Sequence, residues 1–166
     1  MISIRKATMA DVDVVTELLV QTQNDFRARN INMWQKGYPS RDNIVADVDQ
    51  NEAYIAEVDG AFAGYMYIQY GPEEFQSTLR GTWRDDNCTV MHRLLTVPTF
   101  RRIGLGTAMM KFWEQKTVES GRTSMRTETD ETNLPMRALM KHCGFIEPGL
   151  LTFDNSDKVA FEKLIR

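Results

Sequence analysis

One junction constrains this chain more than any other: TVPTFRRIGLGTAMMKFWEQ, residues 96–115, where a β-prone run meets a helical pattern across Pro98, two arginines and Gly-Leu-Gly. The run before it, CTVMHRLLTV, is rich in residues that favour a strand, and Pro98 ends it. Beyond it, Leu105, Ala108, Met109 and Phe112 fall at i, i+3, i+4 and i+7, which predicts an amphipathic helix from about Leu105. The amides of residues 102–107 are then the unpaired donors at a helix N-terminus, carrying partial positive charge. Gly104 and Gly106 let the backbone approach a ligand without a Cβ in the way, and Arg101 and Arg102 add cations. Two readings stay open on these residues alone: a sharp strand-to-helix connection with solvated arginines, or a pyrophosphate site. A phosphate-binding P-loop is excluded because no Gly-Lys-Ser/Thr follows, and Met109 stands where a dinucleotide fingerprint has its third glycine.

The flanking sequence alternates strand and helix signals. ISIRKA predicts a strand, and Thr8 with Asp11 forms a capping-box pattern before a helix over DVDVVTELLVQTQNDFRAR. A second helix is expected over RDNIVADV, after the WQKGYPS turn. AYIAEV and AFAGYMYIQY flank Asp59-Gly60, a strong hairpin signal, whereas residues 71–87 have no clean period and read as an inserted irregular segment. Gly121 suits the end of the third helix, TSMRTET a strand, and Asn133 with Pro135 the start of a fourth helix that Gly144 stops. FIEPGLLTF and KVAFEKLI, joined by DNSD, predict a closing hairpin. The sum is a single α/β or α+β domain over residues 1–166 with a mixed sheet.

Charge and composition exclude several classes. With 20 basic and 23 acidic residues and a formal charge of −3, the chain lacks the bias of a nucleic-acid or anionic-membrane binder. The first six residues already carry charges and no long apolar run follows, which predicts neither a signal peptide nor a membrane span, and a cytoplasmic protein. Cys88 and Cys143 are far apart without metal-ligand spacing, so neither a disulfide framework nor a metal site is expected.

Arg101-x-x-Gly104-x-Gly106, after a strand ending Leu95-Thr96-Val97 and before an amphipathic helix, resembles the acetyl-CoA motif of the GNAT superfamily of N-acetyltransferases. TETDETNLPMRALMKHCGF resembles the strand and the Asn-to-Gly-Phe helix that follow in that family, and the likeness extends over nearly the whole chain. It implies a mixed, mainly antiparallel sheet of about seven strands, splayed between the fourth and fifth, with about four helices. It implies acetyl-CoA as cosubstrate, bound by Arg101, Arg102, Ile103, Gly104, Leu105, Gly106 and Thr107 at its pyrophosphate. The backbone of Leu95, Thr96 and Val97 would lie along the pantetheine arm, and Asn133 would contact the arm from the other side. The implied reaction moves an acetyl group to a primary amine of a small molecule or peptide by direct attack on the thioester. A non-catalytic acyl-CoA-binding regulator is the alternative, and a homodimer is left open.

Amine attack on a thioester needs a neutral amine, a donor for the developing oxyanion and a proton for the thiolate. The resemblance assigns the oxyanion donor to the Leu95 amide, and it places a tyrosine acid where this chain has Met140. His142 and Cys143 lie nearby, one expected in solvent and the other in the core. For the base, His92 and Glu128 are the candidates. Strict strand alternation sets Met91, Arg93, Leu95 and Val97 on one face and His92 on the other, a parity that a bulge would reverse. Glu128 would otherwise be an exposed strand-end carboxylate. Trp34 and Tyr38, in the loop between the first two helices, are the expected acceptor wall, with Trp83 a weaker candidate.

Overall fold

A computed structural model describes residues 1–165. Strand β1 (Ile2–Lys6) leads through a short 3-10 turn into α1 (Val12–Ala28), and Thr8 and Asp11 form the predicted capping box at that turn. After α2 (Arg41–Asp49), β2 (Ala53–Val58) and β3 (Ala61–Tyr70) form the predicted hairpin, with Asp59 and Gly60 both at positive φ, as a two-residue turn of this hand requires. The insertion contains a 3-10 turn, Glu74–Thr78, and the two-residue strand β4 (Arg80–Gly81). Then come β5 (Cys88–Thr96), α3 (Leu105–Glu119), β6 (Ser124–Thr129), α4 (Leu134–His142), β7 (Gly149–Phe153) and β8 (Ser156–Leu164).

These strands form one sheet in the order β1-β2-β3-β5-β6-β8-β7-β4, one strand more than expected because β4 pairs with β7 at its edge. Every neighbouring pair is antiparallel except β5 with β6. That parallel pairing covers only Cys88, Thr89 and Val90 against Ser124, Met125 and Arg126, after which the two strands diverge into a V. The fourth long strand and its successor are thus splayed as expected. The closing hairpin is tighter than DNSD suggested: Asp154 and Asn155 alone turn the chain, both at positive φ, and Ile146 contributes only an isolated bridge to Glu162.

Two apolar clusters hold the layers. Val15, Leu18 and Leu19 of α1 and Ile44 of α2 pack with Ile55, Tyr65 and Leu95 from one face of the sheet. On the other face Met109, Met110 and Trp113 of α3 and Met140 of α4 pack with Met66, Ile68, Met91 and Phe161. The buried stripe of α3 is Leu105, Met109 and Trp113 with Met110 and Thr117, rotated from the expected one, so Ala108 and Phe112 are only half-buried. Trp113 fixes that rotation: the largest side chain takes the sheet-facing position, and its indole N–H donates to Thr89 Oγ1 at 2.8 Å.

Candidate active site

The open end of the V is a cleft between α1, β5, the N-terminus of α3 and α4. Gly104 caps α3 with φ of 87°, which only glycine adopts without strain, and Arg102 precedes it at φ of 64°. The N–H of Arg101 closes a turn on Pro98, and the next in a turn or cap, that of Ala108, reaches Gly104 O at 2.9 Å. Between them, among the described residues, the amides of 102–107 have no backbone or side-chain acceptor. Such a run of unpaired donors suits an anion. Gly106 matters for space as well: a Cβ there would lie 3.1 Å from Leu139 Cδ2 of α4, narrowing the cleft. Arg101 lies at the rim, 3.8 Å from Asp25.

Strand β5 carries a bulge where it leaves β6. Tyr65 opposes Leu95 and Tyr67 opposes His92, so Met66 faces both Arg93 and Leu94, and Arg93 takes φ of 53°. Strict alternation fails here. Met91 and Leu94 pack with the α3 layer, whereas Leu95 and Val97 pack with the α1 layer. The backbone expectation changes too. Val97 donates to Ala63 O at 2.8 Å and accepts from Phe100 N at 3.0 Å, so both its groups are committed. Leu95, two residues back and opposite Tyr65, turns its N–H toward β3 in the same way. The cleft edge therefore belongs to Thr96, between them, rather than to Leu95 and Val97.

The bulge swings Arg93 into a second cavity, which meets the cleft at Phe26, Leu94, Asn133 and Met136. There Arg93 makes a double ion pair with Asp47 of α2 (2.7 and 2.5 Å) and donates to the Tyr38 hydroxyl at 2.7 Å. Tyr65 donates to the same Asp47 at 2.7 Å. Tyr38 stands edge-on to Phe153, and Trp34 packs on Phe26 with ring centres 5.5 Å apart. Burial pushes the Tyr38 hydroxyl up from its ordinary range, partly offset by Arg93. Asn133 caps α4 by accepting from Met136 N, and its amide donates to Thr129 Oγ1 at 3.0 Å, which holds it where the two spaces join.

Glu128 and His92 come together in this cavity. The Glu128 side chain is 7% exposed, not an exposed strand end, and its Oε2 has no partner among the described residues. Burial raises its pKa from 4.5 to about 7, against the opposing pull of His92. His92 lies between carboxylates, with Nε2 bonded to Glu73 and Nδ1 3.7 Å from Glu128 Oε1. A carboxylate can only accept, so His92 Nε2 donates to Glu73. A carboxyl poised near neutrality can take a proton from a bound ammonium.

Other candidates are elsewhere. Met140 is fully buried in the α3-side core, and His142 and Cys143 line a separate groove with Lys111, Glu114 and Lys163. Trp83 lies under the Arg126 guanidinium at 4.2 Å and donates to Gln76 O, so it anchors the insertion rather than the cavity. Sequence reasoning missed Glu73, Asp47, Phe153, Asp130 and Lys158, each brought in by a long-range fold contact. Among the described residues no group of His, Cys, Asp and Glu could hold a metal ion, and no helix is long and apolar enough to cross a membrane.

A splayed mixed sheet with a glycine-capped helix at the opening, next to a cavity holding a near-neutral carboxyl, defines an acyltransferase architecture. The model of the acetyltransferase (GNAT) family matches residues 17–145, and the chain belongs to that family. It is similar to the uncharacterized N-acetyltransferase YesJ of Bacillus subtilis strain 168, with 25% identity over 96% of this chain and 88% of that protein. Among solved structures it resembles a GNAT-family acetyltransferase from Streptococcus agalactiae, with a TM-score of 0.85, 24% identity, and 99% and 96% of the two chains covered. It also resembles yncA of Salmonella typhimurium, a putative acetyltransferase solved with acetyl-CoA, with a TM-score of 0.71, 15% identity, and 99% and 94% covered.

Proposed function

We propose that this protein transfers an acetyl group from acetyl-CoA to a primary amine held in the Glu128 cavity. The observation that carries the reading is the meeting of two differently built spaces at the mouth of the V, one lined by unpaired amides and the other by an unpartnered carboxylate oxygen. The free amides of 102–107 suit the coenzyme's pyrophosphate, with Arg101 and Arg102 alongside. The Thr96 and Leu94 backbone continues the sheet toward the pantetheine arm, and Asn133 closes its other side. The bound coenzyme supplies the acyl group as a thioester.

Glu128 receives the acceptor ammonium at Oε2 and takes one proton from it, leaving the neutral amine to form the new C–N bond. His92 lies beside Glu128, with Glu73 behind. The Leu94 amide, at the bulge beside both spaces, is assigned to the developing oxyanion. The nitrogen gives up its second proton as the C–S bond breaks, and solvent carries that proton to the released thiolate, a fair leaving group with a thiol reference pKa of about 8.5.

The reading is tested by a thiol-release assay with acetyl-CoA over diverse primary amines. Turnover with some of them is expected, together with a rise in melting temperature on adding acetyl-CoA. A second reading, a non-catalytic acyl-CoA binder, is favoured by Met140, which offers no acid. Stabilisation by acetyl-CoA with no thiol released from any amine would decide for it.

A further inference from the structure

Beside Glu128 the same cavity holds a second buried charge. Lys158 of β8 is 5% exposed, and its ammonium lies 3.6 Å from Asp130 Oδ2, outside hydrogen-bond range. Asp130 already accepts at Oδ1 from Thr132 N at 3.0 Å and from the Thr132 hydroxyl at 2.5 Å. Among the described residues Lys158 makes no hydrogen bond, so Asp130 balances its charge while its N–H donors stay open toward the cavity it lines.

The ladder fixes how Lys158 and Glu128 are arranged. Glu128 opposes Ala160 on β8, and Lys158 is two residues along from Ala160, so both charges project from the same face of the sheet. Diagonal neighbours of this kind are about 7–8 Å apart at their backbones. Ala160 between them has no bulk to fill the gap. One cavity thus presents an open carboxylate oxygen and an open ammonium side by side, with Tyr38, Trp34 and Phe153 as apolar walls. A simple alkylamine would satisfy only the first.

We infer that the acceptor is a small amine that also carries a carboxylate, an apolar α-amino acid in its simplest form, with its ammonium on Glu128 and its carboxylate on Lys158. This rests on the acetyltransferase reading and names its substrate class. Burial makes the discrimination steep: an acceptor lacking the anion leaves the Lys158 donors unpaired, and charged hydrogen bonds are worth about tenfold to a hundredfold in binding.

The test compares L-phenylalanine with L-phenylalaninamide and 2-phenylethylamine, and L-leucine with L-leucinamide and 3-methylbutylamine, in the thiol-release assay. The carboxamides have the less basic amine, so intrinsic chemistry favours them, and a preference for the acids reports recognition of the carboxylate. The acids are expected to have kcat/KM about tenfold or more above both analogues. Lys158→Met, which keeps the length of the side chain, is expected to bring the three within about threefold while leaving acetyl-CoA affinity unchanged. Equal or better use of the uncharged analogues by the unmodified enzyme overturns the inference and leaves acetyl transfer standing. Should no amine release thiol, calorimetric titration of the CoA-saturated protein with the same pairs separates the two ideas. Tighter binding of the acids keeps the Lys158 assignment and removes the transferase, and binding that does not distinguish the pairs removes both. The comparison among substrates needs no variant, so misfolding of Lys158→Met does not shield the proposal.

Discussion

The cofactor cleft and the acceptor cavity share a rim but are made of different material. The cleft is backbone: consecutive amides at a helix start, a glycine whose missing Cβ keeps Leu139 at a distance, and a strand edge freed by a splay. The cavity is side chain: Glu128 from β6, His92 and Arg93 from β5 and Lys158 from β8, with Asp47 of α2 and Glu73 of the insertion bonded behind Arg93 and His92. Backbone serves a ligand whose diphosphate does not vary. Side chains can change with the acceptor while the cleft stays as it is.

Four substitutions separate the two regions. The largest effect is expected from Glu128→Gln, which should lower kcat by about a hundredfold to a thousandfold with acetyl-CoA affinity unchanged, since a positioned base contributes on that scale. In the unsubstituted enzyme kcat/KM should rise with pH through about 7 as Glu128 ionises, a limb that the variant lacks. Stability should move the other way. A carboxyl raised from 4.5 to about 7 binds more protons folded than unfolded across that window, so its contribution is full below pH 4.5 and is lost as pH climbs through 7. Glu128→Gln should therefore melt higher than the unsubstituted protein at pH 8, and a lower melting point there would contradict the buried, unpaired carboxylate.

Gly106→Val comes next. Its branched side chain would press on Leu139 and enter the cleft, and the acetyl-CoA Kd is expected to weaken by about tenfold to a hundredfold in a folded protein. An unchanged Kd by calorimetry would mean that the amides of 102–107 do not hold the coenzyme. Smallest are Trp34→Ala and Tyr38→Phe. The first removes an apolar wall and the second a hydroxyl held by Arg93, and each should raise the acceptor KM roughly threefold to tenfold with no change in coenzyme affinity. Coenzyme binding lost in either variant would blur the boundary between the two regions.

The same division explains what could be read from the sequence. Residues 101–107 form one helix start because they are adjacent, so glycine and helix periodicity sufficed to place it, as did Asp59-Gly60 for the hairpin and Asn133 for the cap. Glu128 and His92 were visible as types but not as a pair, because their approach depends on the parallel register that sets Val90 beside Arg126, a long-range pairing that no residue pattern announces. Arg126, Lys158 and Glu162 stand at alternating strand positions, the signature of a solvent face. All are buried, Glu162 and Arg126 because the insertion lies over them: Glu162 accepts from the amides of Arg84 and Asp85, and Arg126 reaches the Asp85 carbonyl and Asp86. A segment without period of its own turned an apparent surface into the wall of a site.

The extra residue in β5 divides one strand between two frames of reading. Up to Met91 its odd-numbered positions answer to the α3 layer, and from Leu95 onward odd-numbered positions answer to the α1 layer. Relatives compared with this chain across residues 91–95 without a gap, where the bulge is absent or shifted, would have core positions of opposite layers superposed. Substitutions tolerated at one would then be mistaken for evidence about the other. The same single residue also sets Arg93 among the groups of the Glu128 cavity, so deleting it would exchange the strand's two faces beyond that point and remove one of the cavity's cations in one event.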